Sequence, residues 1–299
     1  MKGARVDLAQ LRTFKAVVDE GGVLGASEKL HCVQSNVTAR IRALERSVGV
    51  QLFHRQGRRL QLTPSGRTLL DYADRILALS REAVAAVSLG DKPSGDFLLG
   101  AIESSATARL PSVLARFHAS YPEVRLTLVT HSSAAIIEEI QRCRLDAGLV
   151  AGQPMDSGVA ADEIYREPLV LVASASAPPI RRPRDLEGRA MLMWPVGCPY
   201  RSALERWLSA NRIAPSRIVS YSSYGTIVAC VGAGAGVSLV PRGVFVRYQK
   251  ETKTAGYQLE GLDDVPNYFV WHKDVKLHPA REAFLGVLRE QANLHISTG

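Results

Sequence analysis

Apolar positions in the early part of the chain recur at helical spacing. Later positions alternate between short continuous apolar runs and amphipathic stretches. Leu8, Leu11, Phe14 and Val17/Val18 lie three or four residues apart, and Gly21-Gly22 stops the run, which predicts a first helix. A second short helix is predicted over Leu24–Leu30 and a third over Val33–Val48, where Val33, Val37, Ile41, Leu44 and Val48 form one stripe. At about 100° per residue, Gln34, Ser35, Thr38 and Arg42 fall together on an adjacent face. Gly49 suits a left-handed helix end. Two strand-like runs then flank Gln56-Gly57-Arg58-Arg59, a turn carrying two arginines. Thr63 as N-cap and Pro64 as first helical residue open another helix. Its residues Leu69, Ala73, Ile76, Ser80, Ala83 and Val87 make a narrow seam suited to pairing with a second helix; a buried intradomain helix is the alternative. Gly90-Asp91-Lys92-Pro93-Ser94-Gly95 ends both helix and pattern.

From Asp96 onward the apolar runs FLLGAI, VRLTLVT, AGLVAG and LVLVAS read as strands. LPSVLARFHASY, AAIIEEIQRCR, YRSALERWLSANR and YGTIVACVGAGAG read as helices. Such alternation predicts an α/β fold with largely parallel sheets. Ligands of such folds collect beyond the carboxyl ends of strands, near helix N-termini. Ser104-Ser105, Ser132-Ser133 and Ser222-Ser223 sit at such transitions, each alternatively a plain N-cap. Arg201, at a fourth helix start, is placed to hold a carboxylate bidentately. Hydroxyls plus one arginine fit a small polar or anionic effector.

The net charge of +8 changes the picture through its location. Residues 1–64 carry eleven Lys/Arg against five Asp/Glu, whereas the remaining 235 are nearly balanced. A basic head on a neutral body is the footprint of a nucleic-acid-binding module. Small polar side chains near a helix N-terminus would reach base edges, with the arginine-bearing hairpin beside them as a wing; a generic small helical core with a surface hairpin is the alternative. Cys32, Cys143, Cys198 and Cys230 show no metal-ligand spacing, so reduced thiols, no metal and a cytoplasmic location are expected. The opening MKGARVDLAQL has no apolar run before a cleavage site, and no membrane association is expected. Gly232-Ala233-Gly234-Ala235-Gly236 follows a helical run with GxGxG spacing, so it reads as a tight turn into VSLVP and no cofactor is expected. With neither a GxSxG elbow nor an HExxH pair, nothing supports an enzyme.

The stretch LRTFKAVVDEGGVLGASEKLHCVQSNVTARIRALERSVGVQLFHRQGRRLQLTPSG resembles the winged helix-turn-helix of LysR-type transcriptional regulators, with VQSNVTARIRALE its most specific segment. ESSATARLPSVLARFHASYPEV and GCPYRSALERWL extend the resemblance over the body. The resemblance implies an α/β fold class in which an N-terminal winged helix-turn-helix (1–63) and a linker or dimerisation helix (64–90) precede the effector-binding domain (95–299). That domain would comprise two subdomains of periplasmic-binding-protein-like type, approximately 95–167 with 267–299, and 168–266. It also implies base contacts from Gln34, Ser35 and Thr38 and a wing contact from Arg58 or Arg59. Ala39 departs from the family, in which many members have an arginine there. Ser104, Ser105, Ser132, Ser133, Arg201, Ser222 and Ser223 would face a cleft between the subdomains. The implied partners are a pseudo-palindromic operator, a small-molecule effector, a second copy in a dimer or homotetramer, and RNA polymerase. Two other readings remain open. Cys198 aligns with the reactive cysteine of the family's peroxide sensor, with Arg201 near enough to favour a thiolate, although the resolving cysteine is missing. A solute-binding or transport component would explain the hinged body but not the basic head.

Overall fold

The computed structural model describes residues 6–56, 59–87, 92–155 and 158–296. It divides into two compact units, residues 1–89 with Arg142–Arg144, and the remainder. In the first unit, helix α1 (Leu8–Asp19) begins on a reciprocal cap: Gln10 N donates to the Asp7 carboxylate at 2.7 Å, and Asp7 N donates to the Gln10 side chain at 3.3 Å. Helices α2 (Val23–Lys29) and α3 (Gln34–Val48) follow, and Gly49 ends α3 at φ 74°. Val37, Ile41 and Leu44 of α3 enter the core beside Leu11, Phe14 and Val17 of α1. Val33 does not join the expected stripe. It is the extended N-cap residue, off the helical face, and 62% exposed.

Strands β1 (Phe53–Gln56) and β2 (Arg59–Leu62) form the antiparallel hairpin. The Glu45 carboxylate accepts from Leu52 N at 2.9 Å and so ties α3 to the hairpin's entry. Helix α4 (Pro64–Val87) starts where expected, with the Thr63 hydroxyl accepting from Gly66 N at 3.0 Å. A Cβ on Gly66 would lie 2.2 Å from the Leu52 carbonyl oxygen, so only glycine lets helix and hairpin approach this closely. The seam expected along α4 divides between two faces. Leu70, Ala73 and Leu77 are buried in the head, and the buried Asp74 carboxylate pairs with Lys15 at 2.8 Å. Tyr72, Ile76, Leu79, Ala83 and Val87 are exposed instead, at spacings of three and four. The first part of the expected break at Gly90–Gly95 lies outside the described residues.

The second unit runs through β3 (Gly95–Ala101), α5 (Glu103–Ala108), α6 (Leu110–Ser120), β4 (Val124–Thr130), α7 (Ser133–Gln141), β5 (Ala147–Ala151) and β6 (Val159–Glu167). It continues with β7 (Leu169–Ser174), β8 (Ala190–Met193), α8 (Pro199–Ala210), β9 (Arg217–Ser220), α9 (Tyr224–Gly232), β10 (Ser238–Pro241) and α10 (Arg242–Thr252). The last elements are β11 (Thr254–Tyr257), β12 (Val265–His272) and α11 (Pro279–Ile296). One sheet has the order β4-β3-β5-β12-β6; the others are β10-β7-β11 and the pair β8-β9. The sheets are not largely parallel as expected. β3 pairs in parallel with β4 and β5, but β12 runs against both β5 and β6, and β7 runs against both its neighbours. The reason lies in the chain path: β6 passes through Pro168 directly into β7 of the next sheet, and β12 brings the chain back, with no crossover helix at either passage. The glycine-rich segment is the turn expected of it: α9 ends at Gly232, Gly234 has φ 88°, and β10 follows.

The two faces of α4 make opposite forecasts. Ala73→Asp places an unpaired charge in the head's core and should cost about 3–5 kcal/mol, read as lost helical signal and a lowered urea midpoint. Ile76→Asp should leave the helical signal intact and act only on association. Equal loss of structure in both variants would refute the two-face assignment.

Candidate functional site

The head presents one polar surface. Gln34, Ser35 and Arg42 are exposed on α3, and Thr38 is half-buried between them and the core residue Val37. The first turn of α3 has no acidic residue, so its positive end carries no opposing charge of its own. Ala39 is exposed and offers only a methyl group, while the Arg40 guanidinium points back to the Thr13 hydroxyl at 3.5 Å. Arg58 lies outside the described residues. The Arg59 backbone pairs with Gln56 in the hairpin.

In the second unit a cavity of about 460 Å³ is walled by the starts of α5, α7, α8 and α9. Of the hydroxyls expected there, Ser104, Ser132, Ser133 and Ser222 line it. The other three expected residues do not, for separate reasons. Ser105 is buried on the far side of α5, where its hydroxyl meets that of Tyr165 at 2.8 Å. Ser223 caps α9, accepting from Thr226 N at 3.4 Å. Arg201 turns away, donating to Glu205 at 2.7 Å, to the Trp194 carbonyl at 2.9 Å and to the Ser220 hydroxyl at 3.1 Å. Its fork is therefore engaged before any carboxylate arrives.

Residues not anticipated from sequence complete the wall. Glu103 opens α5, and its carboxylate accepts from Tyr224 N, the first residue of α9, at 3.1 Å. Burial raises the Glu103 pKa above the usual carboxylate value, against the opposing pull of Tyr224 N and the Ser223 hydroxyl. Trp194 and Tyr224 pack with ring centroids 5.0 Å apart and planes tilted by 54°, and the buried Trp194 Nε1 has no hydrogen-bond partner among the described residues. Tyr200, also in the wall, donates its hydroxyl to Asn267 at 3.0 Å. The signal for these residues was present in the sequence: Glu103 directly precedes the serine pair, and Trp194, Cys198 and Tyr200 share the segment leading into α8.

Cys198 lines the same cavity, but its environment opposes a reactive thiolate. Burial pushes the thiol pKa up, overriding the backbone amides of Arg201 and Tyr200, the Arg201 charge and the Tyr224 hydroxyl. Arg201 favours the thiolate as expected, but desolvation outweighs a guanidinium already paired with Glu205.

Comparison with known proteins gives concordant matches for both units. The family model described as "Bacterial regulatory helix-turn-helix protein, lysR family" matches residues 8–67, and "LysR substrate binding domain" matches residues 90–293. The HTH-type transcriptional regulator GltR of Bacillus subtilis (strain 168) is 32% identical over 286 residues, covering 95% of this chain and 97% of that protein. The HTH-type transcriptional regulator YofA of the same organism is 30% identical over 286 residues, covering 95% and 99%. Among solved structures, full-length OxyR from Pseudomonas aeruginosa superposes with TM-score 0.77 at 20% identity, covering 97% of this chain and 95% of that one. CbnR complexed with its target DNA superposes with TM-score 0.67 at 24% identity, covering 96% and 100%. At those identities the two structures establish a shared fold.

The thiol environment yields a pH prediction. A raised pKa keeps Cys198 protonated at neutral pH, so its alkylation rate should rise with a midpoint above that of free cysteine, about 8.5. The rate is read by mass spectrometry of the Cys198 peptide after iodoacetamide pulses across the pH range. A midpoint below the free-thiol value would restore the redox reading.

Proposed function

The chain belongs to the LysR family of DNA-binding transcriptional regulators with an effector-binding domain, and from that premise we propose how this member reads DNA and is switched. Helix α3 enters the major groove, where Gln34, Ser35 and Thr38 meet base edges and Arg42 meets phosphate. The wing arginines Arg58 and Arg59 hold the flanking backbone. The observation that carries this reading is the exposed polar face of α3, backed by the buried Val37, Ile41 and Leu44, in the segment that holds most of the chain's net positive charge. Ala39 supplies no hydrogen bond at its base pair, so recognition there rests on methyl contact or DNA shape.

The exposed apolar face of α4 pairs with a second copy, which matches a two-fold protein to a pseudo-palindromic operator; pairs of dimers build the tetramer. A small polar effector binds the cavity lined by Ser104, Ser132, Ser133 and Ser222 and shifts the balance between conformations of the body. The DNA-bound assembly then helps or hinders RNA polymerase in the cytoplasm. Its role is binding and switching, not catalysis. Among the described residues, no helix is long and apolar enough to cross a membrane, and no cluster of His, Cys, Asp and Glu could hold a metal ion.

Base readers and phosphate holders separate experimentally. Gln34→Ala or Thr38→Ala should each lose about 1–3 kcal/mol of operator affinity while binding random DNA unchanged. Arg42→Ala should weaken both and lower the slope of log affinity against log salt by about 0.9. Competition titrations at several salt concentrations check both. Equal losses on operator and random DNA for Gln34→Ala would take α3's first turn out of base recognition.

A further inference from the structure

Four helices begin at the wall of the cavity, an arrangement that by itself favours an anion through their unpaired backbone N–H groups. The chain has already supplied partners to several of those donors. At α9, Tyr224 N donates to the Glu103 carboxylate, and Thr226 N donates to the Ser223 hydroxyl. At α7, Ala135 N donates to the Ser132 hydroxyl. Pro199, the first residue of α8, has no N–H to offer.

The charge inventory points the same way. Among the described residues, no lysine or arginine lines the cavity; Glu103 is the acidic one there, and the exposed His131 also lines it. Arg201 remains outside, engaged with Glu205, Trp194 and Ser220. A carboxylate ligand would therefore meet a carboxylate with no lysine or arginine among the described wall residues to offset it. A cationic ligand would meet that same carboxylate beside the aromatic side chains of Trp194 and Tyr224, which line the same wall.

We infer that the cavity selects a small aromatic amine over the matching acid, with its ammonium group against Glu103 and its ring beside Trp194 and Tyr224. The inference rests on the reading that this cavity is the effector site, and it names the ligand class of that site. Burial of Glu103 adds to the selection: an adjacent ammonium returns to the carboxylate the stabilisation that desolvation removes, whereas an acid cannot.

The test uses the full chain and three probes with one carbon framework: phenethylamine, phenethyl alcohol and phenylacetate. Each is titrated by calorimetry against wild type, Glu103→Gln and Ala134→Phe. The glutamine side chain of the first variant retains an oxygen for Tyr224 N, and Ala134 is exposed in the cavity wall, so both substitutions are compatible with folding. Circular dichroism checks that each variant folds. Phenethylamine should bind wild type at least about tenfold more tightly than phenylacetate, a difference of about 1.4 kcal/mol. Glu103→Gln should erase that preference, and Ala134→Phe should abolish binding of all three probes. Phenylacetate binding as tightly as phenethylamine, or phenethylamine failing to bind, overturns the amine assignment. If the acid's binding is lost in Ala134→Phe, the cavity still stands as the effector site and only the ligand class is wrong. An amine that binds equally well to Ala134→Phe sits elsewhere, and both the assignment and the cavity reading fall.

Discussion

The effector-binding unit depends on one buried carboxylate. Glu167, the last residue of β6, is 3% exposed and accepts from Arg109 Nε at 3.0 Å and Nη2 at 2.8 Å, and from Gly243 N at 3.2 Å. Three parts of the fold meet there: the junction of α5 with α6, the passage from one sheet to the next, and the start of α10. The Arg109 guanidinium also lies over the Tyr165 ring at 4.8 Å, and Tyr165 meets Ser105. A buried ion pair adds little net stability, because desolvation consumes most of the Coulombic gain. It is costly to break from one side only, so it fixes geometry. A Cβ on Gly243 would approach Ala108 to 2.7 Å, which shows how closely α10 is drawn against α5.

Helix α5 shows what that geometry accomplishes. With six residues it is far too short to persist alone. It is held at its C-terminal end by Arg109 on Glu167 and at its N-terminal end by Glu103 on Tyr224 N. One end is therefore tied by a strong buried pair. The other is tied by a carboxylate whose charged form burial disfavours. The second tie, a carboxylate on a backbone N–H, borders the cavity. A second crossing, β12, carries a similar fixed point: buried Asn267 accepts from Tyr200 at 3.0 Å and donates to the Val265 carbonyl at 3.0 Å. A ligand in the cavity would thus act on a polar link that is both adjustable and accessible.

Much of this was legible in the sequence, and the failures have physical causes. The three helices of the head, its hairpin, the Thr63 cap and the glycine-rich turn follow from local spacing and backbone preference, which tertiary contacts reinforce. β6 was not legible because VAADEIYRE has no apolar run, and its partners are distant in sequence. Parallel pairing was overcalled because helix alternation says nothing about strands that pass directly between sheets. Arg201 looked like a ligand clamp because Ser220 and the Trp194 carbonyl, which lie off its helix, could not be placed against it from sequence, although Glu205, four residues on, was legible as a partner. Glu103 was overlooked for the opposite reason: a single acidic residue before two serines reads as a solvated charge until α9 is brought against it.

The division of α4 follows from how far the head's core can reach. Its buried residues, Leu70, Ala73 and Leu77, occupy the first part of a 24-residue helix, and none of the described residues beyond Leu77 joins that core. Leu79, Val84 and Val87 are 64%, 62% and 78% exposed within the same unit. An exposed apolar face gains little from packing until something covers it. Its apolar face is narrow, with Tyr72, Ile76, Leu79, Ala83 and Val87 at the three- and four-residue spacing of a helix-pairing seam. One helix thereby completes the head's core at its beginning and leaves an apolar face exposed toward its end. If that face pairs with a second copy as proposed, a change that distorts the first part would displace the second, and the residues that fold each head would also set the spacing of two heads.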